Sequence, residues 1–276
     1  MKRIIRIILI PLLAVAALTL AGCYTNPVTG RSSLVLLSQG EEVALGASNF
    51  KEIREKEKVS TDAGMNARVT RIGERIAKAV GNDLPDAKWE FVVFESKDVN
   101  AFALPGGKVG VYTGLLKLAE SDSELAIVMG HEIGHVTARH GAERMSEAMA
   151  MQLGGALVAA AVDAKTDNPA TKQLFGLAYG GVTTLGVALP HSRNNESEAD
   201  RMGAIYAARA GYDPRASVTF WQKMMAQKQA AGAKGSDTIG ALMSTHPADE
   251  KRIADLKALM PTVVPIYEQN RGKYSN

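Results

Sequence analysis

One cysteine, Cys23, stands among 276 residues, which excludes an internal disulfide framework. The chain also lacks a Pro/Ser-rich linker between balanced halves and any repeat of about 20–50 residues, which excludes a pair of equal domains and a tandem-repeat array. No apolar run reaches about 18 residues, the length expected of a membrane-spanning helix. Charge of one sign is scarce as well: the formal net charge is +3, and Lys2, Arg3 and Arg6, which have no acidic company in the first 22 residues, account for it. Nothing in that balance argues for nucleic acid as a partner. What is present, 46% hydrophobic and 22% charged residues, is ordinary globular composition, and a body of about 250 residues can bury one core.

Residues 1–22 read as a secretory signal: a basic start, an apolar run from Ile7 to Leu20, then small residues before Cys23. The alternative, a membrane-spanning helix, is disfavoured because the uncharged run is about 16 residues long against the roughly 20 needed, and Pro11 interrupts it. Leu20-Ala21-Gly22-Cys23 resembles the bacterial lipobox, in which the cysteine is acylated and becomes the first mature residue. Several acyl chains, each burying about 0.8 kcal/mol per methylene, anchor firmly where one alone is marginal. By analogy with lipoprotein sorting, Tyr24 in place of an aspartate points to an outer-membrane, periplasm-facing location.

The body reads as α+β and mainly helical. Turn signals at Asn26-Pro27 and Thr29-Gly30 mark a tether into the fold. Helices are expected over 38–58, 66–80, 194–210, 214–231 and 249–260, the last stopped by Pro261, with a loosely structured tail after it. Residues 89–94 and 109–112 are β-branched and aromatic runs joined through Pro105-Gly106-Gly107, which predicts a small turn-linked sheet. A long helix is expected over about 121–151, opened by Ser121 and Glu124 at capping-box spacing. Residues 154–189, rich in Ala, Gly, Val and Leu around a polar loop, read as packed helices in preference to a membrane hairpin, because Gly is frequent and no apolar run reaches about 18 residues.

His131-Glu132-Ile133-Gly134-His135 lies within that long helix. Imidazoles at i and i+4 share one helix face and suit two corners of a zinc tetrahedron, while the glutamate beside them reaches the water that the metal activates. Such a pattern arises by coincidence in about 1% of chains this long, and the helical, capped setting lowers that further. A catalytic zinc needs a third protein ligand, and Glu196 is the best candidate: with Asp200 it makes an i, i+4 pair, so that Glu196 can bind metal while Asp200 orients a ligand histidine. Glu198 points elsewhere. The competing reading of this stretch is a solvated helix N-terminus, where acids are favoured anyway. His140 and His191 match no ligand spacing and read as ordinary hydrogen-bonded histidines.

Taken with Asn26-Pro27-Val28-Thr29-Gly30-Arg31, Asn100-Ala101-Phe102-Ala103 and Glu196 with Ala199-Asp200, the motif resembles the bacterial HtpX- and BepA/LoiP-like peptidases, relatives of the mitochondrial Oma and CAAX prenyl proteases. The likeness runs from about residue 26 to 260. It implies a zincin-like (minigluzincin) fold with a small sheet beside the HExxH helix. It also implies one Zn²⁺ per chain on His131, His135 and Glu196, with Glu132 as general base and Asp200 behind a ligand. Ser244-Thr245-His246-Pro247 resembles a motif whose histidine approaches the metal as a reversible fourth ligand; a structural histidine near the cleft is the other reading. Asn100, Ala101 and Phe102 resemble the strand that receives an extended substrate through main-chain hydrogen bonds, the alternative being plain sheet structure.

The implied organisation is a signal peptide (1–22), a lipid-anchored tether (23–37), a peptidase domain (38–262) and a tail (263–276). The implied function is a membrane-tethered endopeptidase acting on misfolded or unassembled envelope proteins. A chaperone-like lipoprotein with little proteolytic activity is the rival, against which the intact Glu132 weighs, and a small-molecule metallohydrolase is a third reading. BepA-like relatives continue into a tetratricopeptide domain, whereas this sequence passes from its last helix into a short tail, so contacts made through such a domain are not expected.

Overall fold

A computed structural model describes residues 23–163, 192–231, 242–247 and 249–274. The expected signal segment, residues 164–189 of the apolar stretch, and His191 lie outside the described residues. In chain order the elements are β1 (Cys23–Thr25), β2 (Ser32–Leu34), α1 (Gln39–Lys56), α2 (Ala63–Val80), β3 (Glu90–Phe94), β4 (Ala101–Leu104), β5 (Lys108–Tyr112), α3 (Thr113–Leu118), α4 (Asp122–Thr137), α5 (His140–Asp163), α6 (Arg193–Arg209), α7 (Ala216–Ala231) and α8 (Glu250–Asn270). Among the described residues no helix is long and apolar enough to cross a membrane. Contacts divide the chain into two compact units, Met1–Ser38 with Gly141–Leu189, and Gln39–His140 with Pro190–Asn276.

In the first unit, β1 and β2 pair antiparallel, with Cys23 opposite Leu34 and Thr25 opposite Ser32. The side-chain oxygen of Asn26 accepts from the backbone N–H groups of Val28 (2.9 Å) and Thr29 (3.3 Å), so this asparagine builds the turn itself. Gly30, at φ +74°, then supplies a left-handed residue that a side chain would strain. Arg31 donates from both terminal nitrogens to the Glu143 carboxylate at 2.7 Å, and the Leu36 N–H donates to Ser146 Oγ at 2.8 Å. The segment expected as a tether is therefore a hairpin tied to α5 by a bidentate ion pair.

The second unit is organised around α4. Every residue from Glu124 to Thr137 is buried, so this helix is wrapped on all sides. Ser121 caps it by accepting from the Glu124 N–H at 3.1 Å, and the Glu124 carboxylate reaches back to the Glu120 N–H at 2.8 Å, one residue earlier than a standard capping box. Arg68 and Arg71 of α2 hold Asp122 at 2.9 and 2.6 Å, and Lys223 of α7 holds Glu124 at 2.8 Å. These acids sit in the first turn, where the helix dipole favours them.

Beside α4 lies a three-stranded sheet of order β3-β5-β4. The sequence suggests that the 89–94 and 109–112 strands are joined by a turn; instead they pair in parallel, and the Pro105-Gly106-Gly107 turn joins β4 antiparallel to β5. Phe50 of α1 and Val92 and Phe94 of β3 form a cluster against which Phe102 and Tyr112 pack, fixing the sheet on the helical layer.

Two helix boundaries also differ from expectation. The stretch over 121–151 is two helices, because the chain breaks at Ala138 and Arg139, the latter at φ 58°. A non-glycine residue in the left-handed region costs about 1 kcal/mol or more, and here the Arg139 guanidinium is held by Glu42 of α1, its Nε at 2.8 Å from the carboxylate. At the other end α8 does not stop at Pro261 but continues to Asn270, and residues 271–274 form a 3-10 turn. Pro261 and Pro265 are both on the exposed side, where water can serve the carbonyls they leave unpaired, while Leu256 and Val263 stay buried on the packed side.

Candidate metal centre

The site is built where α4 crosses α6, backbone against backbone. A Cβ placed at Gly203 would stand 2.7 Å from the His131 nitrogen; one at Gly130 would stand 3.0 Å from the Gly203 oxygen, and one at Gly134 would stand 3.0 Å from the Ala199 oxygen. At Gly203 a side chain would force the backbones apart, and at Gly130 and Gly134 the facing backbone would have to give by a few tenths of an ångström; the close approach brings the acidic first turn of α6 over the two histidines of α4. Ser192 caps α6 by accepting from the Asn195 N–H at 3.2 Å, which sets the rotation at which Glu196 and Asp200 face inward. Gly203→Ala is expected to force the helices apart, lowering stability by about 1–3 kcal/mol. A fall in melting temperature of about 2–4 °C per kcal/mol would check it.

Four side chains converge there: His131, His135, Glu196 and His246, all buried, with one ligating atom of each within 4.8 Å of the others. His246 arrives from the segment after a helical turn at residues 242–245, its N–H bonded to the Leu242 oxygen at 2.8 Å. His131 Nε2 lies 3.1 Å from His135 Nε2, 3.2 Å from His246 Nδ1 and 3.4 Å from Glu196 Oε2. Glu196 Oε1 lies 3.3 Å from His135 Nε2 and 3.0 Å from His246 Nδ1. A tetrahedral zinc with bonds of about 2.0–2.1 Å has ligand-to-ligand edges of about 3.3 Å. The donor chemistry and spacing therefore fit a zinc ion.

Electrostatics agrees with that fit. Burial opposes a charge on His131, yet the Asp200 carboxylate that accepts from it and the negative charge of Glu196 outweigh burial and push the imidazole up to about 9. Burial would likewise raise Glu196, but the three surrounding histidines hold its carboxyl well below the usual range. The cluster thus favours positive charge at its centre. Glu132 Oε1 and Glu196 Oε2 are buried and accept no hydrogen bond; Arg252 Nη1, 2.8 Å from the latter, pairs with it in charge alone. Glu132 Oε1 is 3.5 Å from His246 Nε2, and burial raises the pKa of its carboxyl.

Of the other residues singled out in the sequence, Asp200 is brought to the cluster. Asp200 Oδ1 meets His131 Nδ1 at 2.9 Å, on the ring edge away from the cluster. Asn100 leads into β4, which begins at Ala101 and among the described residues is an edge strand: β5 pairs with it on one side, with Ala101 opposite Val111 and Phe102 opposite Gly110. The Phe102 side chain itself packs into the aromatic cluster. Cys23 is exposed in β1 of the first unit.

Sequence reasoning misses three groups. Arg252 of α8, buried, donates to Asp200 from Nη2 at 2.7 Å and from Nε at 2.5 Å, with its guanidinium 3.8 Å over the Trp221 ring. It ties Asp200 to Glu196, and no spacing links it to the histidine motif. His140 and Glu198 also enter: His140 Nδ1 lies 2.8 Å from His135 Nδ1, and His140 Nε2 lies 3.0 Å from Glu198 Oε2. Glu198 does point away from the Glu196 face, but toward His140. Five residues beyond His135 on an unbroken helix, His140 would face elsewhere; the break at Arg139 returns it.

The fold is that of zincin-like metallopeptidases, mainly helical with a small sheet beside the histidine-bearing helix. The chain belongs to Peptidase family M48, whose model matches residues 64–260. It is 36% identical over 193 residues to Mitochondrial metalloendopeptidase OMA1 of Schizosaccharomyces pombe, covering 70% of this chain and 52% of that protein. The protein of the same name from Saccharomyces cerevisiae is 30% identical over 274 residues, 92% of this chain and 76% of the relative. Beta-barrel assembly-enhancing protease of Escherichia coli strain K12 is 29% identical over 253 residues, 89% of this chain and 49% of the relative. The chain thus spans about half the length of most of these relatives.

Proposed function

We propose that the protein is a zinc-dependent endopeptidase with His131, His135 and Glu196 as metal ligands and Glu132 as general base. The observation that carries the reading is the convergence of ligating atoms at tetrahedral edge lengths with a buried Glu132 oxygen beside them that accepts no hydrogen bond. Bound zinc supplies Lewis acidity toward a peptide carbonyl and makes a water a better nucleophile. Glu132 takes a proton from that attacking water and passes it to the departing amine, a role helped by burial that holds its carboxyl above the ordinary carboxylate pKa. Asp200 accepts from His131 Nδ1–H and so turns the opposite nitrogen toward the cluster. Arg252 keeps Asp200 and Glu196 in register. An extended substrate segment adds to the β4 edge around Asn100, Ala101 and Phe102 through main-chain hydrogen bonds.

His246 stands between ligand and base, 3.0 Å from Glu196 and 3.5 Å from Glu132. As a fourth ligand it would close the position a substrate carbonyl needs, which makes it a latency device. His246→Ala is expected to keep zinc and raise cleavage about fivefold or more, the lower end of an ordinary coupling energy; progress curves on an unfolded substrate check this.

Within its family we infer that the chain is an HtpX/BepA/LoiP-like member that is itself a lipoprotein, tethered through Cys23 to the outer membrane and facing the periplasm, with unfolded or misassembled envelope proteins as substrates. Support comes from the lipobox-like sequence before an exposed Cys23 and from the name of the Escherichia coli relative. The test is degradation of unfolded casein by the purified protein before chelation, after chelation and after zinc is restored. Activity that disappears and returns sustains the reading. Zinc-loaded wild type and His246→Ala that both leave casein intact would favour a client-binding, non-proteolytic protein.

A further inference from the structure

We propose that His140 and Glu198 form a positioning relay that sets the proton order of His135 and aims its Nε2 lone pair into the ligand cluster. The proposal rests on the reading of His135 as a metal ligand.

Three side chains from three places in the chain meet in line: His135 near the end of α4, His140 at the start of α5 and Glu198 in α6. His140 is fully buried and Glu198 nearly so. The two contacts are 2.8 Å between the Nδ1 atoms of His135 and His140, and 3.0 Å from His140 Nε2 to Glu198 Oε2. A carboxylate only accepts, so the His140 Nε2 carries the proton it donates. With His140 neutral, its one N–H is the one given to Glu198, which leaves Nδ1 as an acceptor. The Nδ1–Nδ1 contact needs one donor, and that is His135. With its proton on Nδ1, His135 Nε2 is bare where it stands 3.1 Å from His131 Nε2 and 3.3 Å from Glu196 Oε1. One carboxylate at the far end thus fixes the tautomer of a ligand that it does not touch.

The device is costly in backbone terms. His140 reaches His135 only because the chain turns at Arg139 in a left-handed conformation, clamped by Glu42. The two ligand histidines of α4 are also held differently on their Nδ1 edges: His131 Nδ1 meets the Asp200 carboxylate at 2.9 Å, whereas His135 Nδ1 meets the His140 imidazole at 2.8 Å.

The test compares zinc dissociation constants, by competition with a chromophoric chelator, for wild type, His140→Leu, His140→Gln and His135→Ala. It adds the through-hydrogen-bond coupling between the ring nitrogens of His135 and His140 in ¹⁵N-labelled wild type. His140→Leu removes the acceptor and is expected to weaken zinc about 10–100-fold. His140→Gln restores an acceptor oxygen for His135 and an N–H for Glu198, and is expected to bind within a few-fold of wild type. The nitrogen–nitrogen coupling is expected to be present, and it needs no variant to fold. Wild-type affinity in His140→Leu, equal weakening in Leu and Gln, or absence of the coupling would overturn the relay. If His135→Ala binds zinc as tightly as wild type, the metal-site reading fails instead.

Discussion

Glu132→Gln is expected to abolish peptide hydrolysis while leaving zinc bound. General acid–base groups contribute about 10²–10⁴ in rate, and this glutamate is asked to act twice, on the attacking water and on the leaving amine. Glutamine keeps the volume and the hydrogen-bonding reach but cannot take a proton. The buried carboxylate oxygen that accepts no hydrogen bond makes the site informative, because the substitution breaks no observed hydrogen bond at that oxygen. Zinc content and thermal stability should therefore stay near wild type while casein cleavage falls to background. Loss of zinc in this variant would place Glu132 among the ligands rather than beside them, and full activity would remove it from the chemistry.

Replacing Glu196 has a different signature. Zinc binding in protein sites is worth about 10–16 kcal/mol, so one ligand of three carries at least about 3 kcal/mol, and Glu196→Ala should weaken zinc on the order of 10²-fold or more. The same change unbalances Arg252, which lies at 2.8 Å from Glu196 and is buried with Asp200 as its other anion. Removing one partner of a buried ion pair costs about 3–5 kcal/mol when nothing else satisfies the survivor; Asp200 remains, so the lower end is expected. Metal titration and chemical denaturation of the zinc-free protein separate the two losses. Equal zinc affinity in wild type and Glu196→Ala would exclude this residue as a ligand.

Much of the site is legible in the sequence because a helix converts spacing into direction. His131 and His135 at i, i+4 must share a face, as must Glu196 and Asp200, and the structure sets these two faces against each other. The crossing itself rests on Gly130, Gly134 and Gly203, whose meaning appears only once two helices are known to touch. His246 is accessible by resemblance alone, since a histidine in a short segment has no periodicity to read. His140, Glu198 and Arg252 were out of reach for a common reason: each acts through a partner distant in sequence. His140 adds a second obstacle, because the left-handed Arg139 that redirects it is not a glycine. In the fold, element types are largely readable, while the parallel pairing of β3 with β5 and the run of α8 through Pro261 are not. Pairing direction and solvent-side proline tolerance depend on neighbours that local pattern does not name.

The most direct measurement is a crystal structure of the zinc-soaked protein with data on both sides of the zinc absorption edge. One strong anomalous peak per chain is expected, bounded by the ring nitrogens of His131 and His135 and a Glu196 oxygen, with Glu132 adjacent but outside bonding distance. A peak elsewhere in the chain, or none at this cluster in protein that binds zinc tightly in solution, would contradict it.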